Sequence, residues 1–195
     1  MANHSLYLGS NSPRRRELLA QIGVHCKQFS VDIDETPGSG ESPRDYVLRM
    51  AREKALASRA ALAGGQRLPV LCADTTVVAG GAILGKPANR EQGILMLQTL
   101  ANNEHQVLTA VAIADQQCIE TRLSSTRVWF GSISDEQASR YWDSGEPADK
   151  AGGYGIQGLG AIFVQRIEGS YSGVVGLPLA ETAELLAQFK VPYWV

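Results

Sequence analysis

The 195-residue sequence contains little cysteine and little histidine, and neither residue type is clustered. Its three cysteines are an odd number and form no C-x-x-C pair, which argues against a disulfide framework or a thiol redox motif. Its three histidines form no H-E-x-x-H or similar cluster, which argues against a zinc site. We interpret the cysteines as small buried hydrophobic residues. A metal ion, if one is required, must be held by carboxylates.

The sequence also lacks long apolar runs and a strong net charge. No stretch of about 18 apolar residues occurs, and the first residues do not show the basic-then-apolar pattern of a signal peptide. We therefore expect a cytoplasmic protein that does not act on membranes. The formal net charge of −2 provides no global positive field, so nucleic acid is not an expected partner. Any attraction for phosphate must be local.

Three common catalytic or nucleotide-binding motifs are missing or out of context. The sequence contains no G-x-x-x-x-G-K-[ST] P-loop and no G-x-S-x-G nucleophile elbow. Gly153-x-Gly155-x-x-Gly158 has the letters of the dinucleotide fingerprint, but no strand immediately precedes it and a strand, not a helix, is predicted after it. These observations argue against a P-loop nucleotidase and against a Rossmann dinucleotide-binding protein.

The sequence does contain an alternation of predicted strands and helices. With 44% hydrophobic residues, the chain can bury the core of one domain, or of one domain with a sizeable lobe. Hairpins and strand–helix–strand units are both predicted, which favours an α/β fold with a mixed sheet. The predicted strands are 6–8, 24–33, 69–73, a hairpin over 77–84, 107–114 paired with 118–130, and 161–167. The predicted helices begin at Pro13, Pro43, Glu91, Ser134 and Pro178.

The most informative motif is a strand-to-helix turn that carries three consecutive arginines. The helix is predicted to begin at the Ser12-Pro13 pair. Arginine is unfavourable there by about 0.3–1 kcal/mol, because a helix N-terminus already carries partial positive charge. A phosphate-bearing ligand would remove this conflict. The alternative is that the three arginines extend into water on a solvated helix face. They are Arg14, Arg15 and Arg16.

A lysine in an apolar stripe is a second candidate for phosphate binding. Lys54 lies within the apolar face of the long helix that is predicted to run from residue 43 towards residue 62 and to stop at Gly64-Gly65. One interpretation is that its side chain extends along the buried face to reach water. The other is that the stripe borders a cleft, in which the ammonium group points at an anion.

Carboxylates follow two of the predicted strands. Asp74 comes directly after strand 69–73, at a strand's carboxyl end, where ligand-binding residues often lie. The alternative is a turn-forming or capping aspartate. Asp34 and Glu35 follow another extended segment, for which a solvated loop is the default interpretation.

Two further segments are of interest near the predicted 77–84 hairpin and towards the C-terminus. Lys86 follows the hairpin at the mouth of a loop, and by itself it would be interpreted as a surface lysine. The glycine-rich segment, residues 149–158, contains more glycine than a simple turn needs. We expect its backbone to approach a ligand closely.

Together these motifs resemble the Maf family of nucleoside triphosphate pyrophosphatases. The resemblance implies an α/β fold similar to the inosine triphosphate pyrophosphatases, with an elongated mixed sheet flanked by helices and two lobes around a central cleft. It implies one such domain over residues 1–195, usually in a homodimer. The motifs that carry it, in order, are Ser10-x-Ser12-Pro13-Arg14-Arg15, Glu53-Lys54-Ala55, Ala73-Asp74-Thr75, Lys86-Pro87 and Asp149-Lys150-Ala151-Gly152-x-Tyr154-x-Ile156-Gln157-Gly158.

The resemblance also implies a reaction, which is hydrolysis of a nucleoside triphosphate to the monophosphate and pyrophosphate with a divalent cation such as Mg²⁺ or Mn²⁺. Three positions that line the base pocket differ between subgroups of the family. Arg14, Thr75 and Gln157 occupy them here, as in the subgroup that acts on dTTP and UTP. The sibling subgroup that acts on 7-methyl-GTP has Trp, Gln and Glu instead. A glutamine can pair with a pyrimidine imide as donor and acceptor.

Residue roles follow from the same resemblance. Asp74 is expected to be the base that prepares water for attack on the α-phosphorus, and Asp74 and Glu35 are expected to hold the metal ion. The phosphate groups and the leaving pyrophosphate are expected to be neutralised by three cations, with a serine and helix-start amides completing the phosphate site. The cations are Arg15, Lys54 and Lys86, and the serine is Ser10.

Two alternative functions would use the same cleft. The family is named for an effect on cell division, so a nucleotide-sensing regulator of cell division without turnover is one alternative. A pyrophosphatase that removes modified nucleotides in a housecleaning role is the other. The acidic charge balance and the absence of a basic stripe argue against a nucleic-acid binder.

Overall fold

The computed structural model describes residues 4–62 and 68–194. Its strands are β1 (Leu6–Gly9), β2 (Cys26–Phe29), β3 (Val70–Ala79), β4 (Ala82–Leu84), β5 (Glu104–Ala114), β6 (Ile119–Phe130) and β7 (Val164–Glu168). Its helices are α1 (Pro13–Gln21), α2 (Pro43–Ala61), α3 (Arg90–Leu100), α4 (Asp135–Asp143), α5 (Tyr171–Val175) and α6 (Leu179–Gln188). Short 3₁₀ turns cover Glu146–Asp149, Ala151–Gly153 and Leu159–Phe163. Within residues 4–62 and 68–194, no helix has the length and apolar character needed to cross a membrane.

The strands form one seven-stranded mixed sheet, which confirms the predicted α/β class. The order is β2-β1-β3-β5-β6-β7, and β4 pairs with β3 at the side of this path. β1 runs parallel to β2 and β3, whereas the pairs β3–β5, β5–β6 and β6–β7 are antiparallel. β1 pairs with β3 only as far as Leu8 opposite Leu71, and β3 continues beyond that point. The turn after β1 therefore faces the middle of β3.

The two faces of the sheet carry two separate apolar clusters, because alternate residues of a strand point to opposite sides. Val70 and Cys72 pack on the face covered by α2, together with Val47 and Ala51 of that helix. Leu71 and Ala73 belong to the larger cluster on the other face, which includes residues of α1, α3, α4 and α6. This alternation assigns Asp74 to the α2 face and Thr75 to the opposite face.

α2 packs very closely on the sheet at the end of β1. A Cβ atom added at Gly9 would overlap Cys72 Sγ of β3 and the Ser58 Oγ of α2. Ser58 is one helical turn after Lys54. Because glycine has no side chain, the helix can approach the sheet at this point.

Several element predictions are confirmed. α1 begins at Pro13 after Ser12, and the hairpin over residues 77–84 forms between β3 and β4 with its turn at Gly80-Gly81. β5 and β6 pair as expected. The predicted stop of the long helix at Gly64-Gly65 lies outside the described residues.

Four predictions of element bounds were wrong. The strand predicted over residues 24–33 is limited to β2, Cys26–Phe29, because its parallel pairing with β1 covers only these four residues. β3 does not end before Asp74, because its antiparallel pairing with β5 continues from Val70 to Val78. The predicted strand 161–167 begins only at Val164, because the residues before it form a 3₁₀ turn. Pro178 is the N-cap of α6, not its first helical residue. The five-residue helix α5 was not predicted.

Candidate active site

A cleft of about 930 Å³ opens where β1 ends beside β3. Its lining comes from the β1–α1 turn, residues 30–35, α2, β3, the loop after β4, the glycine-rich segment and the end of α5. All nine residues predicted for the site lie on this lining. They are Ser10, Arg14, Arg15, Glu35, Lys54, Asp74, Thr75, Lys86 and Gln157. The structure therefore brings them together, while their chemical roles stay predictions.

Lys54 forms the centre of an ion-pair cluster in the cleft. Its Nζ lies 2.7 Å from Asp74 Oδ1 and 2.7 Å from Glu35 Oε1. Of the two interpretations of this lysine, the structure supports the one in which the ammonium faces anions in a cleft. Burial acts to lower the pKa of Lys54, but the charges and hydrogen bonds of Asp74 and Glu35 outweigh it and raise the pKa above its ordinary value. The lysine is therefore a cation at neutral pH.

Local structure explains why these three groups meet. Asp74 is 8% exposed and points to the α2 face of β3, where Lys54 lies on the facing side of the helix. Glu35 comes from the loop after β2, and this loop is bound to α2 by a second residue of that helix. The Tyr46 hydroxyl donates a hydrogen bond to the backbone carbonyl of Glu35 at 3.0 Å.

Arg49 of α2 holds the same loop further along. Its guanidinium donates to both carboxylate oxygens of Glu41, at 2.6 and 2.7 Å, and to the carbonyl of Thr36 at 3.1 Å. The hydrogen bonds from Arg49 lower the pKa of Glu41 to about 2. Sequence reasoning missed Tyr46 and Arg49, because the partners of both include backbone carbonyls, which have no sequence signature.

Arg15 lies near Asp74, but its hydrogen bonds within the described part of the chain go only to uncharged oxygens. Its Nε donates to the carbonyl of Gly176 at 2.9 Å, and its two terminal nitrogens donate to Ser10 Oγ at 3.2 Å and Thr75 Oγ1 at 3.3 Å. Desolvation lowers the pKa of Arg15, although the nearby charge of Asp74 opposes it. No ion pair within residues 4–62 and 68–194 includes Arg15. A desolvated guanidinium without a carboxylate partner favours binding of an anion.

The β1–α1 turn is held by polar contacts at its carbonyl groups. Gln28 of β2 donates to the carbonyl of Ser10 at 2.8 Å and to that of Ser12 at 3.4 Å. Ser12 is the N-cap of α1, but its hydroxyl accepts no capping hydrogen bond. The first amides of α1 therefore lack the side-chain acceptor that usually caps a helix.

The remaining predicted residues lie at the rim of the cleft. Arg14 pairs with Asp149 at 3.7 Å, and both side chains are partly or largely exposed, so the pair contributes little to stability. Lys86 and Gln157 are exposed. In the part of the chain that the structure describes, neither side chain forms a hydrogen bond or an ion pair, which leaves both available to a ligand.

The glycine-rich segment packs tightly against the protein's own side chains. A Cβ atom at Gly158 would overlap the carboxylate of Glu146, and one at Gly155 would lie 2.8 Å from Lys150 Cε. Gly152 has a φ of +69°, and a Cβ atom there would lie 2.9 Å from Val77. These contacts explain the density of glycine. The close approach of this backbone to a ligand stays a prediction.

The carboxylates of the cleft suit a hard divalent cation that also binds phosphate. Asp74 and Glu35 lie on either side of one ammonium group, within 2.7 Å of it. Residues 4–62 and 68–194 contain no group of three or more His, Cys, Asp or Glu side chains that could enclose a metal ion. Mg²⁺ is commonly held by one or two carboxylates together with substrate phosphates, so the pair fits such an ion better than a metal cage built from protein alone.

The fold and the cleft together define a class of protein. It is an α/β protein with a cleft whose cations suit a phosphate ligand and whose carboxylates suit a divalent cation. The chain belongs to the Maf family, since the family described as "Maf-like protein" matches residues 5–189. Members of this family generally act with a divalent metal.

Similar proteins cover nearly the whole chain. It is 54% identical over 190 residues to the dTTP/UTP pyrophosphatase of Saccharophagus degradans, with 97% of this chain and 90% of that protein covered. It is 51% identical over 191 residues to the dTTP/UTP pyrophosphatase of Alkalilimnicola ehrlichii, with 96% and 94% covered. It is 54% identical over 186 residues to the dTTP/UTP pyrophosphatase of Shigella sonnei, with 95% and 93% covered. The family resemblance seen in the motifs is thereby confirmed.

Proposed function

We propose that this protein hydrolyses dTTP and UTP to the nucleoside monophosphate and pyrophosphate. The observation that carries the proposal is the cluster of Lys54, Asp74 and Glu35 in one cleft with Arg15, which has no carboxylate partner among the residues that the structure describes. Relatives that are 50–54% identical to the chain bear the name of this activity.

Binding of the triphosphate depends on cationic side chains that still have hydrogen-bond donors available for phosphate oxygens. Arg15 uses three of the five N–H groups of a guanidinium for Gly176, Ser10 and Thr75, which leaves N–H groups for phosphate oxygens. Lys86 is exposed on the lining of the same cleft and adds a further positive charge. Phosphoryl transfer is mainly a matter of positioning and charge neutralisation, which these groups supply.

Asp74 acts as the base in this proposal. Its Oδ1 accepts the hydrogen bond from Lys54, so its second oxygen is available to a water molecule. The water oxygen attacks the α-phosphorus, its proton passes to Asp74, and the bond from the α-phosphorus to the bridging oxygen breaks. Pyrophosphate leaves with that oxygen, and the positive charges of Arg15 and Lys86 stabilise it.

The metal ion in this proposal is Mg²⁺ or Mn²⁺, held by Asp74 and Glu35. When bound, such an ion neutralises phosphate charge and lowers the pKa of water. The two carboxylates already converge on Lys54, and their convergence supports this assignment.

The base is recognised in this proposal by Arg14 and Gln157 at the rim, and by Thr75, whose hydroxyl lies next to Arg15. The amide of Gln157 is exposed and can donate to one carbonyl of a pyrimidine imide while it accepts from the imide N–H. The homodimer, the cytoplasmic location and the single domain of two lobes expected from the sequence stay predictions.

The test is pyrophosphate release from a panel of canonical and modified nucleoside triphosphates, each with Mg²⁺, Mn²⁺ and Co²⁺. We expect the highest kcat/KM with dTTP and UTP. A preference for modified nucleotides would favour the housecleaning role. Nucleotide binding without release from any member of the panel would contradict the proposal and favour a regulator.

A further inference from the structure

Tyr141 and Glu146 form a polar cluster against the glycine-rich segment, and none of the proposed catalytic roles uses it. Tyr141 is buried, whereas Glu146 also lines the cleft. Tyr141 lies near the end of α4 and is 5% exposed, and Glu146 begins the next 3₁₀ turn. The Tyr141 hydroxyl donates to Glu146 Oε1 at 2.7 Å. The same carboxylate accepts the backbone N–H of Leu159 at 2.9 Å and that of Gly160 at 3.1 Å.

The cluster binds the backbone on both sides of Gln157. On the N-terminal side, the backbone N–H of Gly155 donates to the Tyr141 hydroxyl at 2.9 Å. On the C-terminal side, Glu146 holds Leu159 and Gly160. The three residues between these anchors are 156–158, and Gln157 among them is exposed and lines the cleft.

Close packing adds to these hydrogen bonds. A Cβ atom at Gly158 would overlap Glu146, and one at Gly160 would lie 2.5 Å from the Tyr141 hydroxyl. The backbone of the segment therefore packs directly on these two side chains. Burial acts to raise the pKa of Glu146, but the bonds from Tyr141 and the two amides outweigh it and lower the pKa. Glu146 is therefore an anion at neutral pH, and charged acceptors make the stronger hydrogen bonds.

We infer that Tyr141 and Glu146 are positioning residues for base recognition, because they fix the backbone that carries Gln157. This inference rests on the proposed pyrophosphatase function. A site that pairs with a substrate by hydrogen bonds discriminates only if its polar groups are held in place. Within the described residues the side chain of Gln157 forms no hydrogen bond or ion pair. Its position therefore depends on the backbone of residues 155–160.

The inferred role is separate from the chemical step. The ion pairs of Lys54 with Asp74 and Glu35 are made by α2, β3 and the loop after β2. Within the described residues, no hydrogen bond or ion pair links Glu146 to this cluster. Loss of the Glu146 bonds is therefore expected to change KM and base preference, with little change in kcat.

The experiment compares Glu146→Gln and Tyr141→Phe with the wild-type protein. The amide of glutamine cannot accept both backbone N–H groups, and phenylalanine lacks the hydroxyl that bridges Gly155 and Glu146. Glu136→Gln is the matched control, because Glu136 is an exposed carboxylate of α4 that pairs only with Arg140 among the described residues. Hydrogen exchange of the amides of residues 155–160 and kcat and KM for UTP and CTP are measured for each protein.

For both variants we expect faster amide exchange, a KM for UTP raised about tenfold, a UTP-over-CTP preference lowered about tenfold, and kcat within about twofold of wild type. The control should match the wild type in every measurement. A variant with faster exchange and unchanged preference would overturn the inference. A fall in kcat with the preference kept would also overturn it, because the residues would then support the chemical step.

Dissociation constants for UTP and CTP are measured in parallel. If the wild type binds these nucleotides but releases no pyrophosphate, the proposed function fails, and the ratio of dissociation constants in the variants still tests the inference. If Glu146→Gln does not fold, Tyr141→Phe, which removes a single hydroxyl, decides the outcome.

Discussion

The two walls of the cleft are held in place by different kinds of contact. On the charged wall, made by Arg15, Lys54 and Asp74, functional side chains contact each other or the β1–α1 turn directly. On the glycine-rich wall, residues 149–158, Tyr141 and Glu146 accept backbone N–H groups of the segment and of the two residues after it. The side chain of Gln157 forms no hydrogen bond or ion pair with the residues that the structure describes. The comparison teaches that the first wall is ordered by ion pairs between its own side chains, whereas the second is ordered by hydrogen bonds to its backbone; in the proposed function the first serves the chemical step and the second serves base recognition.

The largest expected effect is on the charged wall. Asp74→Asn should lower kcat about 10²–10⁴-fold, because the amide cannot accept the proton of the attacking water. The fold should persist, since the amide has nearly the same volume. Steady-state kinetics with UTP and circular dichroism check both expectations. Asp143→Asn, an exposed aspartate of α4, is the matched control, and an unchanged kcat in Asp74→Asn would rule out its role as base.

Lys54→Met should lower kcat/KM by about 10²-fold, because a positive charge next to the reacting phosphate is lost. Methionine is a good helix former and suits the apolar stripe of α2. The variant should therefore remain folded, as thermal unfolding can show. Lys27→Met, on exposed β2, is the control. A collapsed melting temperature with normal activity per folded molecule would mean that Lys54 serves structure alone.

A buried histidine behind the glycine-rich wall should make stability sensitive to acid. His105 Nε2 lies 2.8 Å from the Tyr154 hydroxyl, and its Nδ1 is buried without a partner. Burial lowers the pKa of His105 to about 4, below the value near 6.5 that the unfolded chain has. Above about pH 6.5 the imidazole of His105 is mainly neutral in both the folded and the unfolded state. As pH falls towards 4 the unfolded state takes up the proton first, which destabilises the fold.

Between pH 7 and 5 this effect should lower the free energy of unfolding by about 2 kcal/mol, because one pKa unit corresponds to about 1.4 kcal/mol. His105→Gln does not titrate and should lack this part of the pH dependence. Urea unfolding of both proteins at the two pH values measures the difference. If the free energy of unfolding fell by the same amount between the two pH values in both proteins, His105 would not be the cause of the pH dependence.

The smallest expected effect is on the glycine-rich wall. Gln157→Glu should lower kcat/KM for UTP about tenfold, because a carboxylate cannot donate to a carbonyl of the imide. The kcat should stay close to wild type, in contrast to Asp74→Asn. Kinetics with UTP and GTP check this. A large fall in kcat with unchanged KM would break the division between the two walls.

The sequence predicted the charged wall better than the glycine-rich wall for a physical reason. Lys54 in an apolar stripe and Asp74 directly after a run of apolar residues are conspicuous in the sequence, because charged side chains are costly to bury. Periodicity and strand polarity are local patterns, so they were visible without coordinates. The α/β class followed from the same patterns.

Glu146 escaped notice because its partners are backbone amides of Leu159 and Gly160. Every residue except proline has such an amide, so the sequence does not mark these partners. The true length of β3 was missed for a related reason, since its second half is set by pairing with β5. In that pairing Val77 lies opposite Val107, 30 residues further along the chain. Pairing of this kind overrides local propensity.

The geometry of the ion-pair cluster depends on the absence of a side chain at Gly9. A single methyl group at that position would push Ser58 and Cys72 apart and so increase the spacing between α2 and the sheet. Lys54 precedes Ser58 by one turn, and its ammonium reaches Asp74 only because the helix axis lies so near. An alanine at the end of the first strand would therefore move the lysine away from Asp74 through the packing of α2, even though it would not replace any charged group of the cleft.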